Sequence, residues 1–409
     1  MTNKENKLYL NRHVLLCIDN KIEKPGLDEI QYLKNNFCGK VITDLKDLKQ
    51  HNFTNTLVYI MGDVENQINE IENKDKKVFY VVKDLSYKYE NYLDMINLIS
   101  VGEVPINIHN VGIFFRSLFN DNKNYFESLN KEHQFQLLTE SNKPGQSYRK
   151  GLYLSKVEEN NDGVNFHLLR CSTNLNGPTD NFRQTDNEII NKVNHISQYF
   201  FEQKTDLNHV LAQIYNNTTV DGKEKKATIK EHSDKTKDMP GNGLMAFCTF
   251  YHFDEDVKDV KKSNNDKYDY CYKDTSVLTK LRFKLKECVN EPTLVKKFDV
   301  VLYPNSVFLM SLTTNRLYTH EIVPSHLPIE KLPTRLGYVI RCSKTKAVFK
   351  DNQIYIKDGD ELMKLEEPTA EKVKRLKDIY FEENTSDKLI DYGKVDFSLN
   401  KGDYMKPNM

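Results

Sequence analysis

From residue 207 onward the chain breaks into eight short β-like runs, and this rhythm constrains the fold more than any other feature. The runs are NHVLAQIYNN, KATIKEH, LMAFCTFYHF, SVLTKLRFKLK, FDVVLYP, SVFLMSL, RLYTHEIV and RLGYVIRC. Turn residues separate most of them. Eight short strands within ~140 residues predict a double-sheet jelly roll, also called a double-stranded β-helix. A polar insert, DEDVKDVKKSNNDKYDYCYKD (254–274), interrupts the strands and reads as a surface loop.

The rest of the chain has a different texture. In residues 1–104, HVLLCID, KVITD, TLVYIMGD and KVFYVVKD read as buried strands, and LDEIQYLKNNF and YKYENYLDMINLI as helices. Such alternation predicts a small parallel sheet covered by helices. It contains no GxGxxG and no GxxxxGK[ST], so it offers no phosphate cradle and reads as a docking or scaffolding unit. Residues 105–205 are mixed. NVGIFFRSLFNDNKNYFESLNKEHQF is predicted helical at its start, TESNKPGQSYRKG is loop-like, and 187–203 carries a helical stripe of Ile189, Ile190, Val193, Ile196 and Phe200. The tail has a net charge of −4 and one helix over TAEKVKRLKDIYFEE. The expected fold class is α+β. A small α/β accessory domain (1–104) precedes the jelly-roll domain with flanking helices (105–350, strand core 207–345), and an acidic extension (351–409) follows.

Charge and cysteine content exclude several classes. Lys+Arg and Asp+Glu both number 59, which rules out a strongly basic nucleic-acid coat over the whole chain. No run approaches the ~18 apolar residues of a membrane span, and MTNKENKLYL lacks the apolar stretch of a secretory signal. Seven Cys with no CxxC pair argue against a disulfide framework or a cysteine zinc site. The expectation is a soluble intracellular protein of cytoplasm or nucleus. Asn is about one residue in ten, and 10 Arg stand against 49 Lys, a bias typical of AT-rich genomes such as those of some protists and giant viruses. Under such drift Arg persists where Lys cannot replace its planar fork. Eight of the ten Arg fall between residues 101 and 350, which directs attention there.

The sharpest local feature of that stretch is His232-Ser-Asp234. Two residues apart on an extended chain, both side chains point to one face. His320, in Tyr318-Thr-His320, can supply a third ligand. Two imidazoles and one carboxylate on one face of a metal form the facial triad of non-haem Fe(II), with positions left open for a co-substrate and O2. His252-Phe-Asp254 repeats the pattern as a rival, and His326 rivals His320. The strand that follows separates them. Arg335-Leu-Gly-Tyr-Val-Ile-Arg341 places Arg335, Gly337, Val339 and Arg341 on one face. Two inward guanidinium groups in an apolar strand are costly unless they meet anions, and a dicarboxylate such as 2-oxoglutarate supplies two.

On these residues the segment from about 207 to 345, a third of the chain, resembles the AlkB-type 2-oxoglutarate- and Fe(II)-dependent dioxygenases. That family's pattern is an Asn-x-Tyr strand, an HxD with polar residues after it, a distant His and Arg-x5-Arg. Here the corresponding residues are Gln213-Ile-Tyr215, His232 and Asp234 followed by Lys235, His320, and Arg335 with Arg341. The resemblance implies Fe(II) held by His232, Asp234 and His320. It implies that Tyr215 and Arg335 hold the distal carboxylate of 2-oxoglutarate, and that Arg341, with Gln213, steadies the carboxylate that chelates iron. Departures are Gln at 213, Gly337 where the family often has a polar residue, and long gaps before His232 and before His320.

The implied reaction couples decarboxylation of 2-oxoglutarate, with O2, to hydroxylation of a C–H bond. On an N-methyl group this ends in demethylation. The expected substrate is a nucleobase, in keeping with the +5 charge of residues 101–350. The alternative is a protein side chain hydroxylated at the same iron site, with small molecules a further option. A jelly-roll binding module that has lost its metal is the non-enzymatic alternative. For a base, Phe135, Tyr148 and Tyr153 are stacking candidates, and Lys143, Arg149, Lys150 and the basic run GKEKKATIK (222–230) are phosphate-contact candidates. Asn315-Arg316 reads as a turn cap or a pocket lining.

Overall fold

The computed structural model describes residues 5–18, 26–139, 146–171, 174–254, 257 and 259–409. Lys143, one of the phosphate-contact candidates, and part of the 254–274 insert lie outside the described residues. The fold is mixed α+β and strand-rich, built from several sheets. Among the described residues no helix is long and apolar enough to cross a membrane.

All eight C-terminal runs are strands, and they divide evenly between two sheets, pairing antiparallel with one another. His209–Tyr215, Thr334–Arg341, Leu244–His252 and Ser306–Ser311 lie side by side within a nine-stranded sheet. Ile229–His232, Tyr318–Val323, Lys280–Leu285 and Lys297–Val301 make a four-stranded sheet. The sheets meet through aromatic side chains. Phe283 of the smaller sheet lies 5.3 Å from Phe308 of the larger, ring centre to ring centre.

The N-terminal sheet is parallel, as the strand–helix alternation predicts, in the order Lys40–Ile42, His13–Cys17, Leu57–Asp63, Phe79–Tyr87, Ile96–Ile99. Both of its faces are buried. Val14 and Leu16 pack on one side with Leu48 and Ile68, while Leu15 and Cys17 join the large core shared with the nine-stranded sheet. Burial on both faces explains why these strands read as continuous apolar runs.

Two helices expected from the sequence are not formed as drawn. Within 87–99 a short 3-10 turn, Glu90–Tyr92, leads into the strand Ile96–Ile99, because pairing with Phe79–Tyr87 outweighs a weak helical pattern. The start of the 110–135 segment is the strand Gly112–Phe115, buried on both faces between neighbouring strands. Its helix comes later, at Tyr125–Glu132. The helix Gln184–Ser197 buries Ile189, Ile190 and Val193 of the predicted stripe.

The tail is firmly attached. Residues 353–364 form two strands that continue from Thr345–Lys350 and complete a five-stranded sheet with Glu158–Asn160 and Gly163–Leu168. The helix Ala370–Thr385 follows, capped by Thr369, whose hydroxyl accepts from Lys372 N. Leu376, Tyr380 and Glu383 are its buried face, spaced four and three residues apart as a single helical stripe requires.

Candidate active site

Register alone brings the two histidines together. The strands Ile229–His232 and Tyr318–Val323 are antiparallel neighbours with His232 directly opposite His320, and the ring centres are 4.5 Å apart. Asp234 follows immediately, its amide donating to Asn315 Oδ1 at 2.8 Å while Asn315 Nδ2 donates back to the Asp234 carbonyl at 3.0 Å. One ligand atom from each of His232, Asp234 and His320 lies within 4.8 Å of the others.

The protonation pattern suits a metal. His232 Nδ1 lies 2.8 Å from the Lys230 carbonyl, which can only accept, so Nδ1 is the donor and Nε2 is the nitrogen turned towards the other two residues. That Nε2 is 3.6 Å from Asp234 Oδ1. His320 packs against Phe247 and Phe283. Burial there, with the neighbouring His232, lowers its pKa to about 3 and keeps it neutral; its Nδ1 is buried without a partner. For Asp234, burial alone favours the acid, but Arg341 and the two imidazoles outweigh it and hold the carboxyl well below the usual range.

Arg341 is engaged by Asp234 and does not touch Gln213 through a hydrogen bond. Its Nε and Nη2 donate to Asp234 Oδ2 at 3.0 and 2.7 Å, leaving Oδ1 facing His232, while Nη1 is buried with no partner. Gln213 accepts from Tyr215 Oη at 3.3 Å. Arg335 lies opposite Tyr215 across the strand pair, its guanidinium 3.8 Å from the centre of that ring, with Nε and Nη2 buried and unpartnered. Gly337 has a local reason: a Cβ there would come within 2.8 Å of Arg335 Nη1 and 3.3 Å of Tyr215, so the glycine makes room for the stacked pair.

All seven expected site residues, Gln213, Tyr215, His232, Asp234, His320, Arg335 and Arg341, line one cavity of about 620 Å³. Gly337 and Val339 line it as well, as even spacing along the strand requires. Of the aromatic candidates, Tyr148 lines the cavity, whereas Tyr153 is buried and Phe135 packs against the core. Arg149 and Lys230 are at its wall, while Lys150 is exposed. The rival pair sits elsewhere. His252 contacts Glu127 and Asp254 at 2.6 and 2.9 Å, and His326 is exposed; neither belongs to a group of three convergent donors among the described residues.

Sequence reasoning missed two things. Asn315 neither caps a turn nor lines the cavity, but holds the backbone of Asp234 on both sides. A second convergent group, Glu132, His133 and Asp186, is also present, and its spacing carries no recognisable signal.

No family model and no curated protein matches the chain. Among solved structures, one titled "The structure of OsALKBH1" aligns with 56% of this chain and 96% of its own, at 10% identity and a TM-score of 0.33, a likeness too loose to assign fold or function.

Proposed function

We propose that this chain is an Fe(II)- and 2-oxoglutarate-dependent dioxygenase of AlkB-like type, with the eight C-terminal strands as its double-stranded β-helix. In this reading residues 1–104 are an accessory domain, 105–350 the catalytic domain, and 351–409 an extension attached to it. The observation that carries the proposal is the distribution of free valence around one cavity. His232, Asp234 and His320 turn lone pairs towards a common point, and the unpartnered donors of Arg335 and Arg341 lie among the same walls.

The donor set fits Fe(II), since two imidazoles and a carboxylate leave positions for a bidentate co-substrate. When bound, iron with 2-oxoglutarate and O2 supplies oxidative decarboxylation to succinate and CO2 coupled to hydroxylation of a C–H bond. The chain's own residues bind and orient. Arg335, flattened on Tyr215, offers Nε and Nη2 to the distal carboxylate. Arg341 fixes one oxygen of Asp234, which commits the other to the metal, and offers Nη1 to the second carboxylate. Buried guanidinium donors left without acceptors are costly, so a dicarboxylate stabilises what the apo-protein leaves unsatisfied.

The substrate in this reading is a nucleobase. Arg149, Lys226, Lys230 and Lys235 line the cavity against Glu231 and Asp234, an excess of cations that suits a phosphate-bearing substrate, and Tyr148 offers a stacking face. Hydroxylation of a protein side chain is the alternative outcome of the same test. Purified protein is given Fe(II), ascorbate and 2-oxoglutarate, and succinate is followed alone, with methylated oligonucleotides, and with protein extract. Slow succinate formation, accelerated by the oligonucleotides, is expected. Acceleration by protein extract alone would move the substrate class. No succinate from a chain that binds neither Fe(II) nor 2-oxoglutarate would defeat the proposal.

A further inference from the structure

The segment carrying His232 and Asp234 is held by more than its sheet. Ser233, which separates the two ligands, is fully buried, and its amide donates to Asn384 Oδ1 at 2.7 Å. Asn384 belongs to the tail helix Ala370–Thr385, 151 residues further along the chain. Its Nδ2 donates to the Tyr380 carbonyl at 3.0 Å, which turns the amide oxygen towards Ser233. Two residues beyond Asp234, Thr236 donates through its amide to Glu383 Oε1 at 3.1 Å and through its hydroxyl to the same oxygen. Glu383 is itself buried and accepts from Tyr392 Oη. Asp238 binds Arg170, whose Nη1 donates to the carbonyls of Val395 and Phe397, both at 2.9 Å. Ser233, Thr236 and Asp238 are thus tied, directly or through one side chain, to residues 383–397. Tyr380 also reaches the cavity wall, with the Lys235 ammonium 5.2 Å from its ring centre.

We propose that the tail helix is a clamp on the metal-ligand segment and that Asn384 is a positioning residue for it. The inference rests on the metal-site reading above. Without an acceptor at 384, the Ser233 amide is buried and unpaired, and the backbone between the two ligands must move to find water. Small displacements of first ligands weaken metal binding, and loss of an outer partner typically costs about 10- to 100-fold in affinity.

The test is Co(II) binding, followed by visible absorption, in the full chain with wild-type sequence, Asn384→Ala, Asn384→Asp and Phe381→Ala. Ser233 amide hydrogen exchange is measured in the metal-free proteins. Asn384→Ala is expected to lower Co(II) affinity by about 10- to 100-fold, alter the absorption envelope and speed exchange at Ser233. Asn384→Asp keeps an acceptor oxygen and is expected to recover part of each change. Phe381, 69% exposed on the same helix, is the control and leaves all readouts unchanged. A folded Asn384→Ala protein with wild-type affinity and spectrum would overturn the clamp. A wild-type protein that takes up neither Co(II) nor Fe(II) overturns the metal-site reading first, and the clamp with it. Slower Ser233 exchange in the wild type than in Asn384→Ala distinguishes that failure from loss of the contact itself.

Discussion

The chain holds two convergent groups of histidine and carboxylate, and they behave as opposites. Around His232, Asp234 and His320, His232 Nε2 stands 3.6 Å from Asp234 Oδ1, outside hydrogen-bond distance, His320 Nδ1 is buried without a partner, and a cavity lies in front of them. Around His133 every donor and acceptor is already used. Its Nδ1 and Nε2 each lie 2.8 Å from a carboxylate, Asp180 and Asp186. Asp186 also accepts from Tyr338 Oη and from the Arg183 amide, both at 2.7 Å, and Glu132 accepts from the Thr185 amide and hydroxyl. Burial alone would lower the His133 pKa, but hydrogen bonds and charges of the two aspartates outweigh it and raise it to about 9, so the ring is an imidazolium. A protonated ring has no lone pair for a metal. Proximity of ligand-type residues does not make a metal site; unspent lone pairs facing a space do.

The largest effect that divides the two groups is metal stoichiometry. Wild-type protein is expected to bind one Fe(II) per chain, His232→Ala and Asp234→Ala none, and Asp186→Ala one. Elemental analysis after dialysis reads this directly. Two metals in the wild type, or one retained in Asp234→Ala, would break the comparison.

Stability against pH gives the next effect. The folded pKa of His133 is raised above its unfolded value, so its contribution is fully present below about pH 6.5 and is lost as pH rises through 9. Denaturant midpoints are compared between pH 6.5 and 8, a window in which Lys237 and Lys286, pulled down to about 8 by burial, also release protons but do so in both proteins and leave the difference to His133. Relative to His133→Gln, wild type is expected to lose up to about 1.4 kcal/mol per pH unit in that window. The variant itself is expected to be less stable by about 3–5 kcal/mol at pH 6.5, because two buried carboxylates lose their cation. Parallel pH profiles in the two proteins would mean that His133 is neutral. The smallest effect belongs to the rival pair. His252→Ala is expected to leave succinate formation within about twofold of wild type, because His252 contacts Glu127 and Asp254 at the surface and does not line the cavity. A dead His252→Ala would reassign the triad.

The parts of the site that follow the two-residue period of a strand were legible. Arg335, Gly337, Val339 and Arg341 share a face because alternate strand residues must, whereas the strand ends at His232 and Asp234 just beyond it is held by Asn315. The eight C-terminal strands were legible for the same reason. What escaped depended on partners far along the chain. The run Ile96–Ile99 became a strand through pairing with Phe79–Tyr87, and Gly112–Phe115 through burial between Ser306–Ser311 and Ile106–Ile108. Asn315 and Asn384 look like any polar residue of a turn or a helix end until Asp234 and Ser233 are set against them.

Sequence by itself determined the donor chemistry: which residues can ligate, which can fork a carboxylate, and which of them share a face. Only the tertiary structure decided which nitrogens and oxygens remain free. That choice depends on hydrogen bonds closed over separations of 107 residues, between Arg341 and Asp234, and 151, between Ser233 and Asn384. Periodicity is a property of neighbours along the chain, whereas the satisfaction of a buried polar group depends on whatever the fold brings beside it.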